Sequence, residues 1–558
     1  MISFSLLVSA LLVCQCSAGS LEPRADTTAL AMNARTFRGW TSWSLQAFKG
    51  PGYGADWFKE ENIKRQADVL GNEFKQAGFG YFNLDSGWQD EKLDEFGRVQ
   101  LSTVRFPSGI QSLQGYLETR GLSLGLYYLP GIDSRAVDNK TPVKGTKYTA
   151  DQIVLCPTTS NSTNCKRPPA NAFSAGQSLD FSHPGAQAYI DSIVDQLYSW
   201  KVTFVKYAGY IPGSSVDPNN ADFSSATSAA DLAAWRSAID RLHQTKYSNQ
   251  PKIWISAAWE IAKSQKDILK VNADSHRVAI DIAAYSTVMT TFDRVIRNAR
   301  VAASWSSVDA NRGGTVLDLD AILLADLSAA EAKTMVTLWA LLGSPIYSGD
   351  DLTKLSQEKK ALLTNPSVLD VAKRLTHNPA RVLNYAEETT SSAQSRLARR
   401  DGNTESTAAC DARVLQECHQ MVCKSLMIDP SKVQSLYQAS KLKYASSAKV
   451  TPMMTSGGAA AADPWERQVW YAELTQSKNP SAIYIGFVNA GQQLPTDGPA
   501  EITVDLKQLT LTRPMAKSYT ISDLWTGKDV GTCSGGQMTV SSGTLAAHAS
   551  VLYILKPN

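Results

Sequence analysis

Between about Phe37 and Thr376 the chain alternates eight short β-branched or aromatic runs with longer amphipathic stretches. This alternation constrains the fold more than any other feature, because it is the pattern of a parallel sheet covered by helices. The runs lie around Arg38 to Trp43, Gly80 to Asp85, Leu122 to Tyr127, Thr203 to Ala208, Ile253 to Ala257, Arg277 to Asp281, Val316 to Asp320 and Pro345 to Ser348. Between the first two, Ile63, Ala67, Leu70, Phe74 and Ala77 step by four, three, four and three residues, which draws one apolar stripe along a helix. Before the fourth, Pro184 opens a second helix striped by Ile190, Ile193, Val194, Leu197 and Trp200. Eight such units predict an α/β fold, a closed (β/α)₈ TIM barrel rather than an open sheet.

In such a barrel the functional site is built at the C-terminal ends of the strands. Asp85, Lys206, Asp281 and Asp320 each stand at or near the end of a largely apolar run. Any one of them could be a helix cap or turn residue; four converging on one mouth point to a site. Beyond about Pro379 the pattern changes to short alternating runs, Ser481 to Val488, Glu501 to Leu506, Ser518 to Trp525 and Ser550 to Leu555. These predict a C-terminal antiparallel β-sandwich, with Val551, Tyr553 and Leu555 sharing one face. The expected organisation is a barrel over residues 30–378 and a sandwich over 379–558, the latter interrupted by Ser-, Thr-, Ala- and Gly-rich insertions at about 387–409 and 444–463. The dibasic Arg399-Arg400 in the first insertion reads as an exposed turn, with a processing site as the alternative.

The 55 basic and 52 acidic residues leave a net charge of +3, and no Lys/Arg stripe of the kind that tracks a phosphate backbone is present. No nucleic-acid partner is expected. The apolar run over residues 3–14, followed by Ser17, Ala18 and Gly19, reads as a secretory signal occupying residues 1–18, although no Lys or Arg precedes it. Removing it implies a secreted, extracellular protein with no membrane partner, and leaves six of the eight cysteines. Cys156 and Cys165 bracket a polar loop and are the easiest pair to close as a disulfide, while Cys410, Cys418, Cys423 and Cys533 permit three pairings. Zinc is disfavoured for Cys410, Cys418, His419 and Cys423, which lack a CxxC knuckle, and no metal or organic cofactor is expected. Asn139-Lys140-Thr141 and Asn161-Ser162-Thr163 are acceptor sequons for glycosylation.

Taken in order, Gly39-Trp40-Thr41-Ser42-Trp43, Asn83-Leu84-Asp85-Ser86-Gly87-Trp88, Arg105-Phe106-Pro107-Ser108-Gly109 and Arg277-Val278-Ala279-Ile280-Asp281 resemble family 27 of the glycoside hydrolases, the α-galactosidase or melibiase group. Gly39-Trp40-Thr41-Ser42-Trp43 is similar to its Gly-Trp-Asn-Ser-Trp opening, and Asn83-Leu84-Asp85-Ser86-Gly87-Trp88 to its Asp-Asp-Cys/Gly-Trp segment. Gly97-Arg98, Arg105-Phe106-Pro107-Ser108-Gly109 and Gly121-Leu122-Ser123-Leu124-Gly125-Leu126-Tyr127 follow as in the family, and Leu338-Trp339-Ala340, Pro345 and Asp351-Leu352 resemble the region of its eighth strand. Arg277-Val278-Ala279-Ile280-Asp281 resembles its Arg-x-x-x-Asp, and Asp320 is aligned with the second Asp of its Asn-Asp-Pro-Asp segment.

The resemblance implies retaining hydrolysis of a terminal α-linked sugar, most readily galactose, by a nucleophilic carboxylate and a second carboxyl acting as acid and then base. Asp281 takes the acid/base position. Trp43, Asp85, Tyr127 and Lys206 are implied to line the sugar pocket, and Arg277 to hold sugar hydroxyls. Trp43, Trp88 and Trp259 all read equally as core aromatics, but a sugar-stacking platform is expected of Trp43, and Trp259, with Ser86, Ala258 and Asp320, is expected among the residues facing the sugar. The chain departs from the pattern at three places: Ser86 replaces the second acid, Ala257-Ala258-Trp259 replaces Cys-Glu-Trp or Cys-Ser-Trp, and Ala208 stands where the family's Lys-Tyr-Asp has its nucleophile. A methyl group offers neither lone pair nor charge to an oxocarbenium-like centre, so the chain is expected to be nearly inert. A deliberate Asp→Ala change is favoured over natural decay, because Lys206, Tyr207, Arg277 and Asp281 are all retained. The other readings are a β-L-arabinopyranosidase or an isomaltose-releasing dextranase of the same family and, from another class, a sugar-binding lectin.

Overall fold

The structure, a computed structural model, describes residues 37–155, 170–171, 173, 175–210, 225–258, 261–306, 314–383, 465–474, 480–491 and 499–558. The signal segment, both insertions, Arg399-Arg400, Cys156, Cys165, Asn161, Trp259, Cys410, Cys418 and Cys423 lie outside the described residues.

Eight parallel strands form one sheet: β1 (Arg38–Thr41), β2 (Tyr81–Leu84), β3 (Ser123–Tyr128), β4 (Phe204–Tyr207), β5 (Trp254–Ala257), β6 (Ser275–Arg277), β7 (Val316–Asp318) and β8 (Ile346–Ser348). Their order is β8-β1-β2-β3-β4-β5-β6-β7. The ring closes where Ile322, just past β7, bridges Ser348 of β8 and donates its N–H to the Tyr347 carbonyl at 2.7 Å. The chain is therefore a (β/α)₈ barrel followed by an antiparallel sheet domain, as the alternation of apolar runs predicts.

The barrel's floor is aromatic. The Phe37 ring lies 4.4 Å from those of Tyr81 and Phe204, 5.5 Å from Tyr347 and 6.4 Å from Trp254. Because side chains alternate across a strand, the next inward positions on the same strands, Asn83, Lys206 and Ser256, sit one layer above this floor, with Asp85, Ala208 and Ala258 one layer above them. The outward residue Tyr207 packs its ring 5.7 Å from that of Trp235.

Three strands end at least two residues sooner than the sequence suggests: β1 stops at Thr41, with a helix opening at Trp43, and β6 and β7 are cut short as well. β6 stops at Arg277 and β7 at Asp318, so Asp281 and Asp320 stand on the loops beyond rather than on strands. At Asp281 the backbone leaves the ladder because side chains satisfy it instead: Arg297 Nη2 and Arg294 Nη1 donate to its carbonyl at 2.7 and 3.3 Å. Asp320 is held at φ +82, a left-handed conformation that no strand accommodates.

The first helical stripe is realised as α1 (Glu60–Val69), which then widens into a π-turn over Leu70–Phe74 and tightens into a 3₁₀ turn over Lys75–Ala77. The second is α2 (Pro184–Ser199), with Pro184 in its first turn and Ile190, Val194 and Leu197 wholly buried. Packed beside it, α3 (Ser225–Thr245) carries Asp231 into the space behind β4, where its carboxylate accepts from the Tyr207 hydroxyl and from the Gly131 N–H at 3.0 Å. Burial pushes the Asp231 pKa up to about 6, against the pull of those hydrogen bonds. A folded pKa above the unfolded one means that stability present at low pH is lost as pH rises from about 4 through 6, on the order of 3 kcal/mol. The Asp231→Asn variant is accordingly expected to show its greatest melting-temperature deficit near pH 4.5, and to equal or exceed the parent at pH 8. Thermal melts across that range check it; a deficit constant with pH would remove the buried charge from the account.

The sandwich comprises β9 (Arg381–Val382), β10 (Arg467–Glu473), β11 (Ile483–Asn489), β12 (Ala500–Asp505), β13 (Ser518–Asp523), β14 (Asp529–Ser534), β15 (Thr539–Leu545) and β16 (Ser550–Pro557). Six of them form a sheet in the order β9-β10-β11-β16-β13-β14, and β12 pairs with β15. Val551, Tyr553 and Leu555 do share one face, packed within the sandwich, and the alternate Leu552 and Ile554 pack into the barrel's core. The contact centres on α4 (Phe292–Ser306) and α5 (Ala329–Leu341). Gly486 allows close approach there, since a Cβ on it would lie 2.3 Å from Leu341 Cδ1 and displace that buried side chain. Polar pins complete it: Trp525 Nε1 donates to Thr337 Oγ1 at 3.1 Å, Thr334 Oγ1 to the His548 carbonyl at 2.7 Å, and His548 Nδ1 stands 2.7 Å from Glu331. Among the described residues no helix is long and apolar enough to cross a membrane, and Cys533 is buried, with the other cysteines outside the described residues.

Candidate active site

The barrel mouth gathers Trp43, Asp85, Lys206, Arg277, Asp281 and Asp320 into one network of charge and hydrogen bonds. Trp43 opens the short helix Trp43–Ala47 immediately after β1. Asp85 ends the β2 run almost wholly buried. Its N–H donates to Ser42 Oγ at 2.9 Å, and its carboxylate accepts from the Ser86 N–H at 2.8 Å and from Lys206 Nζ at 2.7 Å. Ser86 is itself fully buried, and its carbonyl accepts from Gln46 Nε2. Lys206 lies 5.9 Å from the centre of the Tyr127 ring. Burial works to lower its pKa, but Asp85, Asp281 and Asp320 outweigh that and hold it above the usual lysine value.

Arg277, 1 % exposed, is the centre of the acidic side. Its Nη2 lies 2.9 Å from Asp281 Oδ1, 2.8 Å from Asp320 Oδ2 and 3.1 Å from the Ala279 carbonyl. Asp320 is fastened further by the N–H groups of Ile282 and Ala321, at 2.9 and 2.7 Å. Burial raises the Asp320 pKa, with Arg277 opposing and Asp281 adding to the rise. For Asp281 burial also pulls upward, but Arg277, Lys206 and a hydrogen bond from the Tyr285 hydroxyl prevail, so it lies below the ordinary carboxylate range. In the free protein Asp281 is therefore ionised near neutrality.

Between this layer and the aromatic floor lies a cavity of about 20 Å³ lined in part by Thr41, Asn83, Lys206, Ser256, Arg277 and Asp318. It has room for a water molecule or one sugar hydroxyl and no more. Asp318 belongs to this lower layer, accepting from the Tyr347 hydroxyl at 3.0 Å and from Ser256 Oγ at 3.3 Å.

Ala208 follows β4, 3 % exposed, with its N–H donating to the Tyr128 carbonyl at 2.8 Å. Ala258 follows β5 in the same way, its N–H donating to the Tyr207 carbonyl at 2.8 Å. The two methyl groups thus stand at adjacent strand ends, each two residues beyond an inward polar side chain. Gly209 next to Ala208 has φ +69, and a Cβ on it would meet the Phe173 ring at 2.9 Å, so the turn after β4 admits no side chain there.

The structure thus places Trp43, Asp85, Ser86, Tyr127, Lys206, Ala208, Ala258, Arg277, Asp281 and Asp320 at the strand ends. Trp88 is core: it is fully buried, with its indole N–H on the Tyr127 carbonyl at 2.7 Å. Two further participants are Asp318 and Tyr285. Asp318 was legible, because Asp318-Leu319-Asp320 repeats an acid at period two. Tyr285 carried no such signal, lying beyond β6 on an aperiodic loop.

Residues 48–138 and 174–374 match the alpha galactosidase A family, and residues 465–555 match the alpha galactosidase C-terminal beta sandwich domain. The chain belongs to the alpha galactosidase A family. Among curated proteins it is similar to Alpha-galactosidase 3 of Hypocrea jecorina, 26% identical over 60% of this chain and 53% of that protein, and to human Alpha-galactosidase A, 25% identical over 56% and 59%. It therefore spans little more than half the length of these relatives. Its fold resembles that of a GH27 β-L-arabinopyranosidase from Geobacillus stearothermophilus, with a TM-score of 0.63 and 19% identity over 94% of this chain and 97% of that one. It also resembles alpha-galactosidase I from Mortierella vinacea, with a TM-score of 0.56 and 16% identity over 94% and 98%.

Proposed function

We propose that the chain is a secreted sugar-binding barrel of the α-galactosidase type, built for retaining release of a terminal α-D-galactosyl residue but lacking the nucleophile. The observation that carries this reading is the place of Ala208. It holds the inward register of β4 two residues beyond Lys206, and the Arg277–Asp281 pair remains intact across the mouth. Asp281 takes the acid/base role; Trp43, Asp85, Tyr127 and Lys206 bind the sugar, with Arg277 and Asp320 behind them. The retention of Lys206, Tyr207, Arg277 and Asp281 favours a single Asp→Ala change over gradual decay.

Secretion rests on the apolar segment over residues 3–14 with a cleavage site near Ala18, and on the sequon residue Asn139, which lies exposed at the end of the helix Ser134–Asp138. A lectin reading draws on a different observation: relative to the family pattern, Ala208 and Ala258 remove two polar side chains from one mouth and Ser86 replaces a carboxylate by a hydroxyl, which lowers turnover more than binding.

Calorimetric titration of D-galactose and L-arabinose into the chain as it stands tests the proposal. Galactose is expected to bind about tenfold or more tightly, since a pocket shaped for the exocyclic hydroxymethyl gains one to two orders of magnitude from it. A preference for L-arabinose would transfer the reading to β-L-arabinopyranosides, and no binding of either would overturn it.

A further inference from the structure

The loop after β6 carries a second device. Tyr285 is 2 % exposed and sits at φ +54, in a left-handed conformation that aromatic residues seldom adopt. The loop is pinned around it. Lys49 donates its N–H to the Ser286 carbonyl at 2.8 Å, the Ala284 N–H reaches the Met289 carbonyl at 2.8 Å, and Thr290 Oγ1 donates to the Ile282 carbonyl at 2.8 Å. This fixed backbone delivers the Tyr285 hydroxyl to two partners: Trp43 Nε1 at 2.8 Å and Asp281 Oδ2 at 2.5 Å. An indole N–H can only donate, so the hydroxyl oxygen accepts from Trp43, and its single proton is directed to the carboxylate.

We propose that Tyr285 is a positioning residue for Asp281: its hydroxyl, oriented by Trp43, holds that carboxyl in the ionised form and sets the upper pH at which Asp281 can serve as an acid. This rests on the acid/base role given to Asp281 under the proposed function. Arg277 on β6 secures the other oxygen, Oδ1, so the carboxylate has both ends engaged. The other charges facing it are Lys206 from β4 and Asp320 from the loop after β7, with Asp85 beyond Lys206 and Asp318 and Tyr347 beyond Arg277. Arg294 and Arg297 of α4 donate to its backbone carbonyl. Tyr285 is neutral, so its loss changes no formal charge near neutrality.

The test compares Tyr285→Phe with its parent in the Ala208→Asp background, following kcat/KM for an aryl α-galactoside against pH. Removing a hydrogen bond to the charged form raises the pKa of Asp281, so the basic limb is expected to move to higher pH, with a gain of roughly threefold or more at pH 7.5 and none at pH 4. A uniform loss with the limb unmoved would overturn the proposal and leave Tyr285 a packing residue. An inactive Ala208→Asp parent would instead strike the functional reading, and the hydrogen bond is then judged by thermal melts of the chain as it stands. The Tyr285→Phe deficit is expected to be larger at pH 7 than at pH 2.5, closer to the acid range in which the depressed Asp281 carboxyl takes up its proton, and to lose that pH dependence in the Asp281→Asn background. Equal deficits in both backgrounds at both pH values would sink it.

Discussion

Replacing Ala208 by aspartate is expected to raise hydrolysis of an activated aryl α-galactoside by at least about 10⁴-fold, since a covalent nucleophile supplies several kcal/mol of transition-state stabilisation. The side chain would project inward from the end of β4, as Phe204 and Lys206 do below it, into the space now lined by a methyl group. A carboxylate there does more than attack. Asp281 lies below the ordinary range because Arg277, Lys206 and Tyr285 favour its charged form. A like charge introduced nearby opposes that and lifts Asp281 toward the protonated state that leaving-group protonation requires. The two carboxyls are thus expected to titrate as a pair, giving a bell-shaped pH profile. Azide or formate added to the unsubstituted chain gives a cheaper check, because a small anion in the vacated space can attack in place of the missing side chain. A folded Ala208→Asp protein that binds galactose but releases no nitrophenol would retire the glycosidase reading in favour of the lectin.

Much of this fold is written locally. Period-two and period-3.6 patterns located all eight barrel strands, and Pro184 marked the start of α2, because those signals depend on burial within one element. The ends of β6 and β7 were overrun for a tertiary reason. Arg294 and Arg297, from a helix that starts eleven residues after Asp281, satisfy its carbonyl and release the backbone from the ladder, and no local pattern announces a donor so far along the chain. The same reason hid Tyr285. Its left-handed conformation is imposed by a pinned loop, whereas sequence reading assigns positive φ to Gly, Asn or Asp. Asp281 was found because order and spacing carried it. Its ionised state followed only from seeing that one oxygen meets a guanidinium and the other a phenol.

Arg277→Met is expected to be the most damaging single substitution at the mouth, costing about 3–5 kcal/mol at neutral pH, because removing one member of a buried ionic cluster strands the rest. Arg277 is charge partner to Asp281 and Asp320 together, through a single nitrogen, and Met fills a similar volume, so the loss is electrostatic rather than a cavity. With the guanidinium gone, Lys206 and the remaining hydrogen-bond donors oppose burial less effectively, and the folded pKa values of both carboxyls rise toward or above the unfolded ones. Groups raised in this way stabilise the fold at low pH and lose that contribution as pH climbs from about 4. The parent behaves oppositely at Asp281, whose depressed pKa contributes stability that is lost as pH falls. The deficit of Arg277→Met is therefore expected to be largest at pH 7.5 and to shrink markedly at pH 4.5, where the stranded carboxyls take up protons. Thermal melts at the two pH values decide this. In the triple variant Arg277→Met, Asp281→Asn, Asp320→Asn most of the pH dependence should vanish. Should the deficit stay the same at both pH values, or survive unchanged in the triple variant, the mouth would be held by packing rather than by charge.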